Sequence, residues 1–186
     1  MPGVVRVLTW EDVPGSLCFG QIEKDMPIFS SGKIRSYGDV IALVVAESRA
    51  EALSAAERVK FGGMELPGVF DPEEALQEDA PLLFEERKTN MVNHHKTRRG
   101  DPDSAMEAAG TVIRQQFRTG FFEHAYLEPE GAVCIPRPDG VLEVHGSIQH
   151  PVSTRRFIAA YLGLQLADVE IISHPTGGSF GGKDDT

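Results

Sequence analysis

The stretch Asp168-Val-Glu-Ile-Ile-Ser-His-Pro-Thr-Gly-Gly-Ser-Phe-Gly-Gly-Lys-Asp-Asp185 gives the best guide to the fold and use of this chain. Its apolar, β-branched part, residues 169–173, predicts a strand. Four glycines then surround Phe180. Because glycine lacks a Cβ and tolerates positive φ, successive backbone N–H groups in such a loop can converge on an anion. A strand that runs into this loop predicts a binding site for a phosphorylated cofactor.

The same loop admits two other interpretations. Gly177, Gly182 and Lys183 match the first part of a P-loop, but Asp184 stands where Ser or Thr would reach the magnesium ion. No residues remain for the helix that defines a P-loop, so this alternative is less favoured. The other alternative is a glycine-rich surface turn without a ligand. Since the chain stops at Thr186, just after a binding loop, we expect it to be part of a longer protein.

Two further segments accompany the loop: Gly120-Phe-Phe-Glu-His-Ala-Tyr-Leu-Glu-Pro-Glu-Gly-Ala-Val-Cys134 and Gly146-Ser-Ile-Gln-His150. With them, the chain resembles the large subunit of the molybdenum hydroxylases, the family of xanthine dehydrogenase and aldehyde oxidase. That family has an "EH-x-Y/F-LEP" segment, an "S-x-Q" strand end and a "GG-x-FGGK" loop in the same order. Any one of these motifs is weak evidence, whereas their shared order is strong evidence.

The earlier part of the chain resembles the small hammerhead domain of the same family. The resemblance is carried by four segments: Val7–Gly15, Gly32–Arg35, Val40–Glu47 and Leu66–Leu76. The implied fold class is α/β in the α+β sense. It consists of a small α/β hammerhead domain over 1–79, a linker over 80–100, and the first strands and helix of a molybdopterin-binding domain over 101–186.

Local patterns predict the individual elements. Ser48 and Glu51 form a capping box that starts a helix reaching to about Lys60. Alternating polarity over Thr111–Thr119 predicts a half-exposed strand. The continuous apolar run Val40–Ala46 predicts a strand buried on both faces. The remaining predicted elements are strands at Val4–Leu8, Ala132–Ile135 and Val141–His145, and helices at Asp101–Ala109 and Val152–Leu162.

The resemblance also implies site residues. The loop backbone at Gly178, Ser179, Phe180 and Gly181 is expected to contact the molybdenum cofactor, whose metal is held by the pterin dithiolene and not by a protein ligand. Asp184 follows the loop lysine, where purine-converting relatives carry a longer Glu that contacts the substrate. For Asp184, a substrate contact and a solvated surface acid both remain open.

One position departs from the family pattern. Many members have a Gln directly before the Glu-His pair, where it donates a hydrogen bond to the oxo ligand of the metal. Phe122 occupies this position and has no donor. We therefore expect a divergent branch with another substrate. Phe122 either lines the substrate pocket or is an ordinary core aromatic.

The implied reaction is hydroxylation of a purine, another N-heterocycle or an aldehyde with water-derived oxygen. The resemblance implies molybdopterin, with a cytosine dinucleotide form as one candidate, and electron transfer to iron–sulfur clusters and FAD on partner subunits or domains. The rest of the molybdopterin domain and a homo-oligomer of the full enzyme are also expected. The family's catalytic Glu lies beyond this stretch, so the isolated chain should be inactive. A non-catalytic binding module is the alternative.

Composition narrows the remaining classes. The formal net charge of −10 argues against nucleic acid as a partner, because its phosphates require Lys and Arg. Cys18 and Cys134 form neither a disulfide framework nor a zinc site, and the apolar surroundings of Cys134 predict a core position. No apolar stretch has the length of a membrane span, and the N-terminus lacks a signal sequence, so we expect a cytoplasmic protein.

Overall fold

The computed structural model describes residues 1–184 of the 186-residue chain. It divides into two compact units: one joins Met1–Phe61 to the segment from Phe122 onward, and the other is Gly62–Phe121. Helices and small sheets are mixed along the chain, in agreement with the predicted α/β class. The first unit contains the glycine-rich loop and Phe122, and therefore all of the predicted site residues.

The N-terminal part of the first unit is built on a two-stranded sheet. Strand β1 (Val4–Leu8) pairs antiparallel with β4 (Leu43–Ala46), and a second short ladder joins β2 (Cys18–Phe19) to β3 (Met26–Pro27). Helix α1 (Arg49–Ala56) follows β4 and is capped by Ser48, whose hydroxyl accepts the N–H of Glu51. A short 3₁₀ helix, Trp10–Asp12, follows β1. A capping side chain satisfies an N–H that the first helical turn would leave unpaired.

The C-terminal part of this unit contains a three-stranded sheet in the order β5-β6-β7. Strands β5 (Ala132–Pro136) and β6 (Leu142–Gly146) form an antiparallel hairpin, and β7 (Val169–Ser173) lies parallel to β6. Parallel neighbours require a crossover, which α3 (Pro151–Leu162) supplies. Gly163 ends α3 with φ 65°, a left-handed conformation that glycine adopts without steric cost.

The core of the first unit lies between this sheet and α3. Val144 and Val169 are 1 % exposed, and Ala159 of α3 is 4 % exposed. The N-terminal segment packs on the same helix, since the Phe19 ring lies 5.7 Å from the ring of Phe157, between centroids. The parallel strand β7 is thereby fixed at the point where it enters the glycine-rich loop.

The second unit contains little regular secondary structure. Helix α2 (Pro102–Ala108) is capped by Asp101, which accepts the N–H of Ser104, and two 3₁₀ turns lie at Glu74–Leu76 and Glu85–Arg87. The Asn90 amide group donates to the Ala75 carbonyl at 3.1 Å and accepts the N–H of Leu83 at 2.9 Å. In this unit, side-chain hydrogen bonds of this kind satisfy backbone groups that a helix or sheet would otherwise pair.

The structure confirms the strand at Val4–Leu8, the hairpin, β7, and the two helices predicted near α2 and α3. The predicted strand over Thr111–Thr119 is wrong, because within residues 1–184 that segment pairs with no other strand. The doubly buried strand at Val40–Ala46 is also wrong. It begins at Leu43, pairs within residues 1–184 with β1 alone, and alternates between exposed and half-buried residues.

Two smaller expectations also need correction. Helix α1 ends at Ala56 and not near Lys60, because the N–H groups of Arg58 and Val59 bond to carbonyls three residues back. Cys134 is exposed and is not a core residue. None of the helices within residues 1–184 combines the length and apolar composition that crossing a membrane would require.

Candidate functional site

The glycine-rich loop leaves β7 with its backbone already fixed. The N–H of His174 donates to the Gly146 carbonyl at 2.8 Å, which continues the pairing of β7 with β6. Farther on, the N–H of Gly182 donates to the Ser179 carbonyl at 2.8 Å and closes a tight turn. Positive φ angles occur at Gly178 (128°), Phe180 (55°) and Gly181 (94°). The loop thus uses the conformational freedom that its glycines suggested.

Glu128 contacts both ends of the loop. One carboxylate oxygen accepts the N–H of Gly177, and the other lies 3.1 Å from the ammonium of Lys183. The pKa of the Glu128 carboxyl is lowered below its usual value. The largest cause is a hydrogen bond from its own backbone N–H, and the hydrogen bonds from Lys183 and Gly177 come next. This carboxylate is therefore ionised at neutral pH and links the two ends of the loop electrostatically.

Lys183 is completely buried, with an exposed fraction of 0 %. Besides Glu128, its ammonium lies 3.0 Å from the Ser147 hydroxyl and 4.6 Å from the centroid of the Tyr126 ring. A buried ammonium is tolerated only where such partners replace its hydration, and the face of an aromatic ring is one of them. Lys183 is consequently committed to this cluster, which leaves it unavailable to a nucleotide phosphate and counts against the P-loop alternative.

Tyr126 and Gln149 complete the support of the loop. The Tyr126 hydroxyl donates to Glu130, and this bond together with burial raises the pKa of Tyr126 to about 12. The Gln149 side-chain oxygen accepts the N–H of Gly181 at 3.2 Å. Gly182 lies so close to Tyr126 that a Cβ there would be 2.4 Å from the ring carbon Cε1. The three motifs therefore meet in one hydrogen-bonded cluster around the loop.

The middle of the loop has backbone donors without internal partners. Within residues 1–184, no hydrogen bond engages the N–H of Gly178, Ser179 or Phe180. The Phe180 side chain is 74 % exposed, and a Cβ at Gly181 would have only the His124 ring within 4 Å, at 3.9 Å. Consecutive free amides beside open space can bind an electron-rich group.

Asp184 lies beside His150, the residue before α3. The Asp184 Oδ1 atom is 3.1 Å from the His150 Nε2 atom. The Oδ1 atom is buried, and despite this short distance it forms no hydrogen bond in the described part of the chain. A buried carboxylate oxygen that lacks a donor is costly, so it is suited to accept an N–H from a bound molecule.

The structure brings five of the six predicted site residues together: Gly178, Ser179, Phe180, Gly181 and Asp184 all lie in one short loop. Phe122 is 84 % exposed and therefore does not pack in a core. No hydrogen bond or ring contact within residues 1–184 joins it to the loop.

Sequence reasoning missed the residues that support the loop, namely Glu128, Ser147, Gln149 and the buried Lys183. Glu128, Ser147 and Gln149 were present in the quoted motifs as polar residues of unexplained purpose. Their positions within motifs that occur in a fixed order could have indicated that they act together with the loop.

Comparisons with known proteins identify the family to which the chain is similar. A model described as the molybdopterin cofactor-binding domain matches residues 83–186, and one described as the aldehyde oxidase and xanthine dehydrogenase a/b hammerhead domain matches residues 1–67. Among curated relatives, a probable xanthine dehydrogenase subunit of Bacillus subtilis is 34 % identical over 100 % of the chain and 25 % of its own length. The nicotinate dehydrogenase large molybdopterin subunit of Eubacterium barkeri is 36 % identical over 97 % of the chain and 42 % of its own length.

Solved structures show the same similarity. The aldehyde oxidoreductase of Desulfovibrio gigas aligns with a TM-score of 0.83 at 30 % identity, covering 98 % of the chain and 21 % of its own. Quinoline 2-oxidoreductase of Pseudomonas putida 86 also gives a TM-score of 0.83, at 28 % identity, with 98 % and 24 % covered. The chain thus spans less than half the length of the proteins that it resembles.

Proposed function

Because the chain belongs to the molybdenum hydroxylase family of xanthine dehydrogenases and aldehyde oxidases, we propose that its glycine-rich loop holds part of the molybdenum cofactor in such an enzyme. The observation that carries the proposal is the set of free N–H groups at Gly178, Ser179 and Phe180. They lie between two loop ends that are fixed by Glu128. A rigid loop with donors in its middle is preorganised for an electron-rich ligand.

The residues present fit this cofactor. Its oxo, sulfido and phosphate groups are acceptors, and three consecutive amides supply donors without a competing side chain. Gly181 leaves open space where a side chain would obstruct the approach of the ligand. When bound, the cofactor supplies the hydroxylation of an electron-poor carbon with water-derived oxygen and takes up the substrate's electrons. The chain's own contribution is to bind and orient.

On the substrate side, we propose that Asp184 accepts an N–H from an N-heterocyclic substrate. Its Oδ1 atom is buried and has no hydrogen bond within residues 1–184, and His150 lies beside it. An aldehyde has no N–H to satisfy this oxygen, which favours a purine or another N-heterocycle. Phe122 is proposed to line the pocket in place of the usual Gln, where it offers an apolar surface and no donor.

The wider assembly is part of the same proposal. Two relatives are named as subunits, which supports partner subunits or domains that carry iron–sulfur clusters and FAD. We further propose domain boundaries at 1–79, 80–100 and 101–186, a cytosine dinucleotide form of the pterin as one candidate, a cytoplasmic location and a homo-oligomer of the full enzyme. The isolated chain is proposed to be inactive, so turnover by this chain alone would contradict that point.

The test is the molybdenum and pterin content of the intact protein, purified with its partner subunits. Gly181→Val is expected to abolish cofactor loading, because its side chain would occupy the approach to the free amides. Gly140→Val is the matched control: Gly140 has φ 89° in the β5–β6 turn and an equally open surround, so it shares the backbone strain but not the location. Equal loading of both variants would contradict the assignment. Absence of metal in the unmodified protein would favour a non-catalytic binding module.

A further inference from the structure

The Glu128–Lys183 pair occupies an unusual place in this loop, because one carboxylate serves both of its ends. Glu128 accepts the N–H of Gly177 at the start of the loop. Its other oxygen lies 3.1 Å from the Lys183 ammonium at the end. Glu128 and Lys183 are 55 positions apart, so the pair ties the loop to a distant segment of the unit.

Burial makes the pair more than a surface ion pair. The Lys183 side chain is 0 % exposed, while that of Glu128 is 33 % exposed. An exposed ion pair contributes little, because water screens it and both side chains lose freedom. A buried ammonium that loses its carboxylate has no water to replace it. Loss of the Glu128 charge would leave the buried ammonium with the neutral partners Ser147 and Tyr126, which do not balance its charge.

We infer that Glu128 and Lys183 are positioning residues that hold the glycine-rich loop closed from both ends and so present the three central amides. Glu128 acts at both ends, whereas Lys183 acts only at the second. The Gly181 N–H is bonded to Gln149, so its exchange rate shows whether the Lys183 end of the loop is in place. The cofactor-related part of this inference rests on the proposed function, whereas the clamp itself concerns only this chain.

The clamp is tested by amide hydrogen exchange at Gly177 and Gly181 in the full chain. Glu128→Ala should speed exchange at Gly177 by about tenfold or more, as expected for a lost hydrogen bond to a charged group. Exchange at Gly181, whose N–H is bonded to Gln149, should also speed up, because the end of the loop loses the ion pair that positions it. Glu128→Gln keeps an acceptor for Gly177 but removes the charge that Lys183 needs. It should therefore rescue Gly177 and leave Gly181 fast.

Two more variants complete the pattern. Lys183→Met removes the ammonium and should speed exchange at Gly181 while Gly177 stays protected by Glu128. Glu130→Gln is the matched control, because it removes a neighbouring negative charge but keeps an acceptor for the Tyr126 hydroxyl. It should leave both amides unchanged. A side chain that merely stabilises the fold would change both amides in parallel, so parallel changes across the variants would overturn the clamp.

Cofactor content separates this inference from the proposed function. If the unmodified intact protein contains molybdenum, Glu128→Ala and Lys183→Met should each lower its content at least about threefold relative to Glu130→Gln, since a misplaced loop loses its donors. Equal content in all variants would overturn the positioning role. If the unmodified protein contains none while the exchange pattern holds, the proposed function fails and the clamp stands.

Discussion

The two adjacent glycines of the loop should respond differently to the same substitution. Gly182 lies against Tyr126, and a Cβ there would be 2.4 Å from the ring carbon Cε1. Gly181 has φ 94° but no atom nearer than 3.9 Å to a Cβ. Gly182→Ala therefore creates a steric conflict, whereas Gly181→Ala creates backbone strain. Stability alone does not separate these causes, but a second substitution does.

The magnitudes follow from ordinary contact distances. Carbon atoms pack comfortably at about 3.5–4.0 Å, so the Tyr126 ring must retreat by about 1 Å to admit the new methyl group. Overpacking of this kind costs about 1–3 kcal/mol. The left-handed region costs a non-glycine residue about 1–2 kcal/mol, which applies to Gly181→Ala. Both variants should thus be destabilised by a similar amount.

The assay is equilibrium urea unfolding, with each glycine variant measured alone and combined with Tyr126→Ala. Removing the ring should cancel much of the Gly182→Ala penalty, giving a favourable coupling of about 1–2 kcal/mol. The His124 ring, 3.0 Å from the same Cβ position, accounts for the remainder. The Gly181→Ala penalty should remain, with additivity within roughly 0.5 kcal/mol. Unchanged m values would show that the unfolded states are comparable. Equal coupling for both glycines would refute the assignment of the Gly182 effect to contact with Tyr126.

Three further outcomes follow from the same region and its sheet. Because the pKa of Glu128 is lowered on folding, the carboxylate stabilises the folded chain fully above about pH 4.5, the pKa of the unfolded chain. This stabilisation is lost as the pH falls through the folded pKa, so NMR should show that the Gly177 amide loses its protection from exchange only in acid. The pKa of Tyr126, about 12, is raised by a hydrogen bond that needs the protonated phenol, so that contribution is lost as the pH rises through 12; Tyr126→Phe should remove a phenolate step near pH 12 from an ultraviolet titration. Cys134 is exposed and Cys18 half-buried, so Cys134→Ser should remove the faster phase of thiol labelling, and survival of that phase would contradict the described exposure.

Much of the first unit could be predicted from local pattern. The hairpin around Gly140 and the helix ended by Gly163 follow from turn residues and apolar spacing, which act over a few positions. The strand that enters the loop was predicted for the same reason. Thr111–Thr119 shows the limit of such reasoning: alternation describes one face of a strand, but a strand also needs a partner to satisfy its backbone.

The support of the loop could not be predicted from spacing. Glu128 and Lys183 are 55 positions apart, and each is charged in a segment that offers several solvent-exposed alternatives. Only the packing of β6 beside β7 brings Ser147 and the loop end together. A lysine next to glycines therefore suggested a phosphate contact, whereas its burial shows that it is committed to a carboxylate.

A loop that binds through its backbone contributes little to substrate specificity. Backbone N–H groups are common to nearly every residue, so the central amides, in the proposed role of holding the cofactor, would not discriminate between substrates. Discrimination would then come from side chains near the site, and within residues 1–184 Asp184 has a buried carboxylate oxygen without a hydrogen bond. In our proposal the Asp184 acceptor favours a substrate with an N–H, while Phe122 offers no polar contact. Substrate choice should therefore change with substitutions at these two positions, while substitutions in the clamp should change cofactor retention for every substrate alike.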